Sequence, residues 1–310
     1  MKHSDKSSST SSAQPNRRHF LIGAGSLAFG AAAGPSVMAG MGSNSGNRKA
    51  GKYGMVQEGK SVLEKFQLTK ELGFDGIELH APSSLDLDEV NEAAKATGLI
   101  VHGVVDSVHW KMPFSHPKAS VRKLGVEALE KALRDCKAVG GSTVLIVPAV
   151  VSKEVSYSQA WQRSTVEIAK ALPLAEELGV KLAIENVWNN FLLSPLEMAQ
   201  YIDSFNSKMI GAYLDVGNLV RYAWPEHWVE ALGHRIMKID VKGYSRKLQD
   251  QKGPWKGFDV GIGDGDCDWK AVNAALRKTG FEGWYTAEVG GGDGKRLKEI
   301  AAAMDRIMSA

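Results

Sequence analysis

The chain has 310 residues, 44% of them hydrophobic, and a formal net charge of +3 from 38 basic and 35 acidic side chains. That length can bury the core of one barrel-sized domain or of two small ones. Charges of both signs are mixed along the chain, which excludes nucleic acid as the main partner. Its two cysteines, Cys136 and Cys267, stand far apart, which excludes a disulfide framework and leaves at most one bridge.

The amino terminus reads as a targeting segment. Residues 1–15 are polar and rich in Ser and Thr. Asn16-Arg17-Arg18-His19-Phe20-Leu21 follows, then a Gly/Ala-rich apolar run over 22–33 and small residues around Ala39. This pattern predicts a twin-arginine export signal over 1–40 and a periplasmic or other extracytoplasmic location. The run is too short and glycine-rich for a stable membrane span, so an uncleaved signal acting as an anchor is the alternative. Residues 41–50 read as a linker, and 51–310 as one catalytic domain.

From residue 52 onward, short β-rich runs alternate with longer helical patterns. A weak first strand is expected over 52–57, then a helix over 61–72 stopped by Gly73. Strand 75–80, helix 86–97 and strand 99–106 follow, then helix 118–139, strand 143–148 and helix 158–178. Next come strand 180–186, helix 195–203, strand 210–215, a short helix 225–232 and strand 235–241. Helix 268–279, strand 283–288 and helix 295–308 close the chain. Gly261-Ile-Gly-Asp-Gly-Asp266 reads as a turn before a helix capped by Asp268. Eight strand–helix units imply parallel strands with right-handed crossovers, and so an α/β fold of the (β/α)8 TIM-barrel type. No glycine-rich phosphate fingerprint supports a doubly wound sheet.

Four carboxylates stand at the polar ends of apolar strands: Glu185, Asp215, Asp240 and Glu288. A charge at the end of a buried strand costs several kcal/mol unless something compensates it. In a barrel these strand ends converge on one face, so the four together point to a cation and a reaction centre. For any one of them alone, a helix cap or a lysine partner is an equal reading.

The order and spacing of several short pieces cover nearly all of the chain after the signal. They are Gly73-Phe-Asp-Gly-Ile-Glu-Leu-His80, Leu182-Ala-Ile-Glu-Asn186, Leu214-Asp-Val-Gly-Asn218, Lys238-Ile-Asp-Val-Lys242, Gly261-Ile-Gly-Asp264 with Asp268-Trp269, and Gly283-Trp-Tyr-Thr-Ala-Glu288. In these the chain resembles the sugar phosphate isomerase/epimerase family of xylose isomerase-like barrels. The resemblance implies that Glu185, Asp215 and Glu288 bind one divalent cation, with Glu185 and Glu288 also acting as acid/base catalysts. It also implies a small-molecule sugar as partner and possible dimers or tetramers. At the seventh strand the family has His where this chain has Asp240, and three residues after the sixth-strand Asp it often has His where this chain has Asn218. Both departures leave an oxygen-rich site, which favours Mn2+ or Mg2+ over Co2+ or Zn2+.

Further candidates for substrate contact surround these residues. Lys242 is two residues beyond Asp240, on the same face of its strand or exposed beyond the end. Arg246 occupies the place of a substrate-contacting arginine in the resembled epimerases. His80 ends the second strand, while Glu78 on the same side reads as a structural hydrogen-bonded pair. His102, His109 and Trp110 flank the third strand. Trp110 and Trp188 suit stacking on a sugar or packing at the rim, and Asn186 suits orienting Glu185 or bonding substrate. The expected function is a metal-dependent isomerase or epimerase working through an enediolate on a non-phosphorylated or modified sugar. The alternatives are a 3-keto-glycoside lyase or hydrolase using the same site, and a non-catalytic sugar-binding barrel.

Overall fold

The structure is a computed structural model that describes residues 46–310. The expected twin-arginine signal, 1–40, and the first residues of the expected linker lie outside the described residues. Eight parallel strands close into a barrel in sequence order: β1 (Arg48–Lys52), β2 (Gly76–Ala81), β3 (Ile100–Asp106), β4 (Thr143–Ile146), β5 (Lys181–Glu185), β6 (Ile210–Asp215), β7 (Ile236–Val241) and β8 (Trp284–Ala287). β8 pairs back onto β1 through Arg48–Trp284 to Gly51–Ala287, so no sheet edge is left. The first strand lies earlier than the expected 52–57 and begins within the expected linker.

Among the described residues, ten helices lie between or after the strands: α1 (Val62–Glu71), α2 (Leu87–Thr97), α3 (Ala119–Ala138), α4 (Tyr157–Leu178), α5 (Pro195–Asp203), α6 (Val216–Val220), α7 (Pro225–Leu232), α8 (Arg246–Lys252), α9 (Trp269–Thr279) and α10 (Gly294–Met308). Local chemistry sets their ends. Ser61 and Ser156 form capping boxes with Glu64 and Gln159, and Asp268 caps α9 as expected. Gly98, Gly179 and Gly280 take the left-handed conformation that closes α2, α4 and α9. The short helices α6 and α8 were not expected from the sequence. Both sit in loops after strands β6 and β7, where periodicity is too brief to read. The stretch 261–266 is a turn, with Gly263 and Gly265 at positive φ.

Apolar faces of the helices pack on the outside of the barrel through residues such as Phe66, Leu133, Ile168, Tyr201, Val229 and Ile300. The barrel interior is different, because much of it is polar. Near the amino ends of the strands, Lys238 Nζ contacts His102 Nδ1 at 2.8 Å and donates to His102 O at 2.6 Å. Burial lowers the Lys238 ammonium to a pKa of about 8 and depresses the His102 imidazole far below its usual range, so the ring is neutral. A side chain at Gly103 would strike Lys238 Nζ and Thr143 O, each 2.8 Å from an added Cβ, so glycine leaves the room Lys238 needs. One level up, Tyr213 Oη donates to Thr286 Oγ1 at 2.8 Å beside Leu145 and Ala183. This column fills the barrel to the level of the carboxylates.

Candidate metal centre and mouth of the barrel

Glu185 ends β5, Asp215 ends β6, Asp240 is next to last in β7, and Glu288 follows β8. The parallel register places Asp215 opposite Asp240. Side chains two residues apart on a strand share a face, so these positions point into the barrel at its carboxyl-terminal mouth. One oxygen from each of the four carboxylates lies within 4.8 Å of the others.

Two lysines are folded into this cluster. Lys242 Nζ lies 2.5 Å from Asp215 Oδ2 and 2.7 Å from Glu288 Oε2, as ion-pair contacts without hydrogen-bond geometry. Its close approach to α6 requires Gly217, whose added Cβ would sit 2.6 Å from Lys242 Cβ. Lys52, the last residue of β1, reaches Glu78 at 2.8 Å, Asp240 at 3.0 Å and Glu288 at 3.5 Å. The sequence reading paired Glu78 structurally, and Lys52 is its partner. Lys52 itself was missed, because a strand starting at that residue would have sent it to the opposite end of the barrel.

The protein's own charges drive the two glutamates apart. Burial, aided by repulsion from Glu288, holds the Glu185 carboxyl well above the usual carboxylate range. Burial also acts to raise Glu288, but the ammonium groups of Lys52 and Lys242 outweigh it and hold Glu288 near 2. Asp215 and Asp240 are raised by burial against the pull of Lys242 and Lys52 respectively.

The residues fit a divalent cation. Among the described residues Asp240 Oδ1 is a buried oxygen with no hydrogen-bond donor, and Asp215 Oδ2 and Glu288 Oε2 are met by the Lys242 ammonium, which a bound cation would displace. Hard cations bind oxygens at ~2.0–2.6 Å, so ligands across one ion stand roughly 4–5 Å apart, as here. The donor set is all oxygen, which suits Mn2+ or Mg2+ better than a thiophilic metal. Glu185, Asp215, Asp240 and Glu288 would hold it.

Two adjoining cavities of about 360 Å³ and 410 Å³ open above the cluster and share Asn218, Lys242, Trp255 and Glu288. Of the predicted substrate-contacting residues, His80, Trp110, Trp188, Asn218 and Lys242 line this mouth. Asn186 does not: it bridges β5 to β6, donating to Asp215 O at 2.8 Å and accepting from Asp215 N at 2.9 Å. Its side chain fixes the spacing of Glu185 and Asp215 instead. Arg246 also stays out of the mouth. Its guanidinium donates to Val220 O and Ala223 O at 2.9 and 2.7 Å and stacks on Trp224. The orphan carbonyls at the end of the short α6 account for that orientation. Trp188 donates to Asn218 O and is packed by Arg221, Trp255 and Phe258. Trp255, 72% exposed, and Asp106, fully buried, also line the mouth and were not singled out from the sequence.

A model of the xylose isomerase-like TIM barrel family matches residues 66–309. The chain belongs to this family. Among curated proteins it is similar to L-ribulose-5-phosphate 3-epimerase UlaE of Escherichia coli O1:K1, with 26% identity over 246 residues, covering 74% of this chain and 83% of that protein. The E. coli K12 enzyme of the same name is 24% identical over the same coverage. Among solved structures, a D-tagatose 3-epimerase-like protein superposes with a TM-score of 0.71 at 18% identity, covering 84% of this chain and 98% of its own. The 3-keto-D-glucoside 4-epimerase YcjR of E. coli gives 0.70 at 15% identity, covering 85% and 99%. At that identity the structures speak to the fold alone. The cysteines of this family member are both free and buried.

Proposed function

We propose that the protein is a divalent-metal-dependent sugar isomerase or epimerase. It moves a proton on the carbon next to a carbonyl, through an enediolate. The observation that carries this is the convergence of Glu185, Asp215, Asp240 and Glu288 within 4.8 Å at the mouth of the barrel. The similarity to L-ribulose-5-phosphate 3-epimerase supports a sugar substrate. When bound, the cation supplies Lewis-acid polarisation of the substrate carbonyl.

The chain's own residues do the rest. Of Glu185 and Glu288, one removes the proton next to the carbonyl and the other returns one to the other side of the same carbon. Lys242, beside both Glu288 and Asp215, offsets excess carboxylate charge. Trp188 and Trp255 present aromatic faces to the sugar, and Trp110 closes the far rim. Arg17-Arg18 supports twin-arginine export, and phosphorylated sugars are scarce outside the cytoplasm, so we assign a non-phosphorylated or modified sugar.

The test is solvent exchange followed by NMR. The full chain, loaded with Mn2+, is incubated in D2O with free ketoses and 3-keto-glucosides, and the metal is stripped before recording. Deuterium is expected next to the carbonyl, with the rate lowered by about 10²–10⁴ in Glu288→Gln. A protein that binds Mn2+ yet exchanges no proton of any of these sugars would overturn the proposal.

A further inference from the structure

The barrel carries a second charged layer at its amino-terminal end, which the proton transfer proposed above does not use. Alternate residues of a strand share a face. Lys52, Ala183 and Asp240 face the interior, so Arg48 on β1, Lys181 on β5 and Lys238 on β7 face it too, nearer the amino ends of the same strands. They line a cavity of about 1050 Å³, together with Lys208 from the loop before β6 and Arg235 from the turn before β7. Two carboxylates also line it. Asp203 is held by the Arg235 guanidinium at 2.6 and 2.7 Å, and Glu282 packs against Gly46. Among the described residues Arg48, Lys181, Lys208 and Lys238 have no carboxylate at ion-pair distance. Residues 1–45 contain one carboxylate, Asp5, against four Lys and Arg, so they supply no set of counter-charges. A helix dipole does not account for Arg48, Lys181 and Lys238 either, since they stand on strands rather than in the last turns of helices. Arg48 rests on the Trp284 ring, 5.5 Å from its centroid, a contact that orients the guanidinium without neutralising it. Below these exposed cations Lys238 and Thr143 are buried; the Lys238 ammonium meets His102, and Thr143 Oγ1 has no partner among the described residues. Charge of one sign gathered around a cavity is costly unless a ligand of the opposite sign compensates it.

We infer that this cavity is an anion site, separate from the metal centre, that takes a phosphate group through Arg48, Lys181 and Lys208. A phosphate monoester carries a charge of about −2 at neutral pH and three strong acceptor oxygens. Arg suits such a group with parallel N–H donors, and Lys with a compact charge. A carboxylate, with its single charge, leaves most of this layer unmatched. Lys238 adds its charge from the floor of the cavity without touching the ligand. The three contact residues are exposed, so the phosphate group arrives from solvent at this end and does not pass the mouth. Two sources offer the same chemistry: a soluble phosphate compound and the headgroup of an anionic phospholipid.

Pyrophosphate is the probe for the soluble source. It is titrated by calorimetry, at neutral pH and fixed ionic strength, into the full chain freed of metal so that no cation at the mouth chelates it. Saturable binding is expected. Lys181→Ala combined with Lys208→Ala should weaken it by about tenfold or more, as loss of hydrogen bonds to a charged group does. Lys123→Ala combined with Lys153→Ala removes the same charge from exposed positions elsewhere and should leave the affinity within about twofold. Melting without ligand checks that each variant is folded, and Arg48→Gln replaces the cavity pair where it is not. For the lipid source, the same proteins are sedimented with vesicles of phosphatidylcholine, with and without phosphatidic acid. Binding that needs phosphatidic acid and is lost in the cavity variant alone, without a response to pyrophosphate, assigns the phosphate group to a lipid. A pyrophosphate response alone assigns it to a soluble compound, and either result supports the site. Equal losses in the cavity and control variants would overturn the inference, because diffuse attraction then explains the binding. Binding that the cavity variant keeps, or no response to either probe, would overturn it as well.

Discussion

Lys52→Met isolates the charge that holds the mouth of the barrel together. Lys52 is 5% exposed, and its ammonium contacts Glu78, Asp240 and Glu288. Methionine keeps most of the apolar stem, so the change removes the charge and little else. Deleting one partner of a buried ion pair costs roughly 3–5 kcal/mol, because the remaining charge is left without compensation. Here the stranded Glu78 and Asp240 recover part of that by taking up protons, which puts the net loss at the low end, about 3 kcal/mol. For a domain of this size each kcal/mol moves Tm by ~2–4 °C, so the expected fall is about 6–12 °C. Thermal unfolding followed by circular dichroism, with EDTA at neutral pH, measures it. The gap should narrow at mildly acidic pH, where protons neutralise the stranded carboxylates. It should narrow again with Mn2+, whose charge does the same. A variant melting within about 2 °C of wild type in EDTA, where a loss this large has no source of compensation, would refute the reasoning.

Asp106 gives a pH-dependent stability with a defined sign. Its folded pKa, about 7, lies above the ordinary value, so the native state keeps a proton that the unfolded chain has lost. Its contribution is complete below ~4 and disappears as pH rises to ~7, a loss of roughly 4 kcal/mol. Asp106→Asn lacks that loss, so urea titrations should show the variant gaining on wild type across this window, and a constant difference would refute the assignment. Trp255→Ala removes an exposed ring that borders both cavities and packs 4.6 Å from Trp188. It should raise KM by about 2–10-fold, with a smaller change in kcat, as removal of a stacking contact does. Steady-state kinetics on whichever sugar exchanges would show this, and a fall in kcat alone would count against stacking.

The barrel was legible because its evidence is repetitive: eight apolar runs, each stopped by a glycine, a helix cap or a charge. Glu185, Asp215, Asp240 and Glu288 were legible for the same reason, since each closes such a run and the parallel register brings the ends together. Lys52 was not. β1 is only Arg48–Lys52, and an offset of a few residues placed Lys52 at the wrong end of its strand. Asp106 closes a strand whose end was placed correctly, but a single carboxylate there looks like a loop residue until its unpartnered oxygen is seen. The places of Asn186 and Arg246 were hidden for the opposite reason. Both have chemistry that suits a sugar, and both are drawn to backbone groups of neighbouring loops and strands that no sequence pattern exposes.

The polar column inside the barrel has a kinetic consequence. Lys238, His102, Thr286 and Tyr213 are all buried, and the 1050 Å³ cavity at the amino-terminal end shares no lining residue with the two cavities at the mouth. Among the described residues the carboxylates are therefore approached from the mouth, beneath Trp110 and Trp255. On the proposed reaction, product would leave by the passage through which the next sugar arrives. Product and substrate would then exclude one another, and accumulated product is expected to act as a competitive inhibitor.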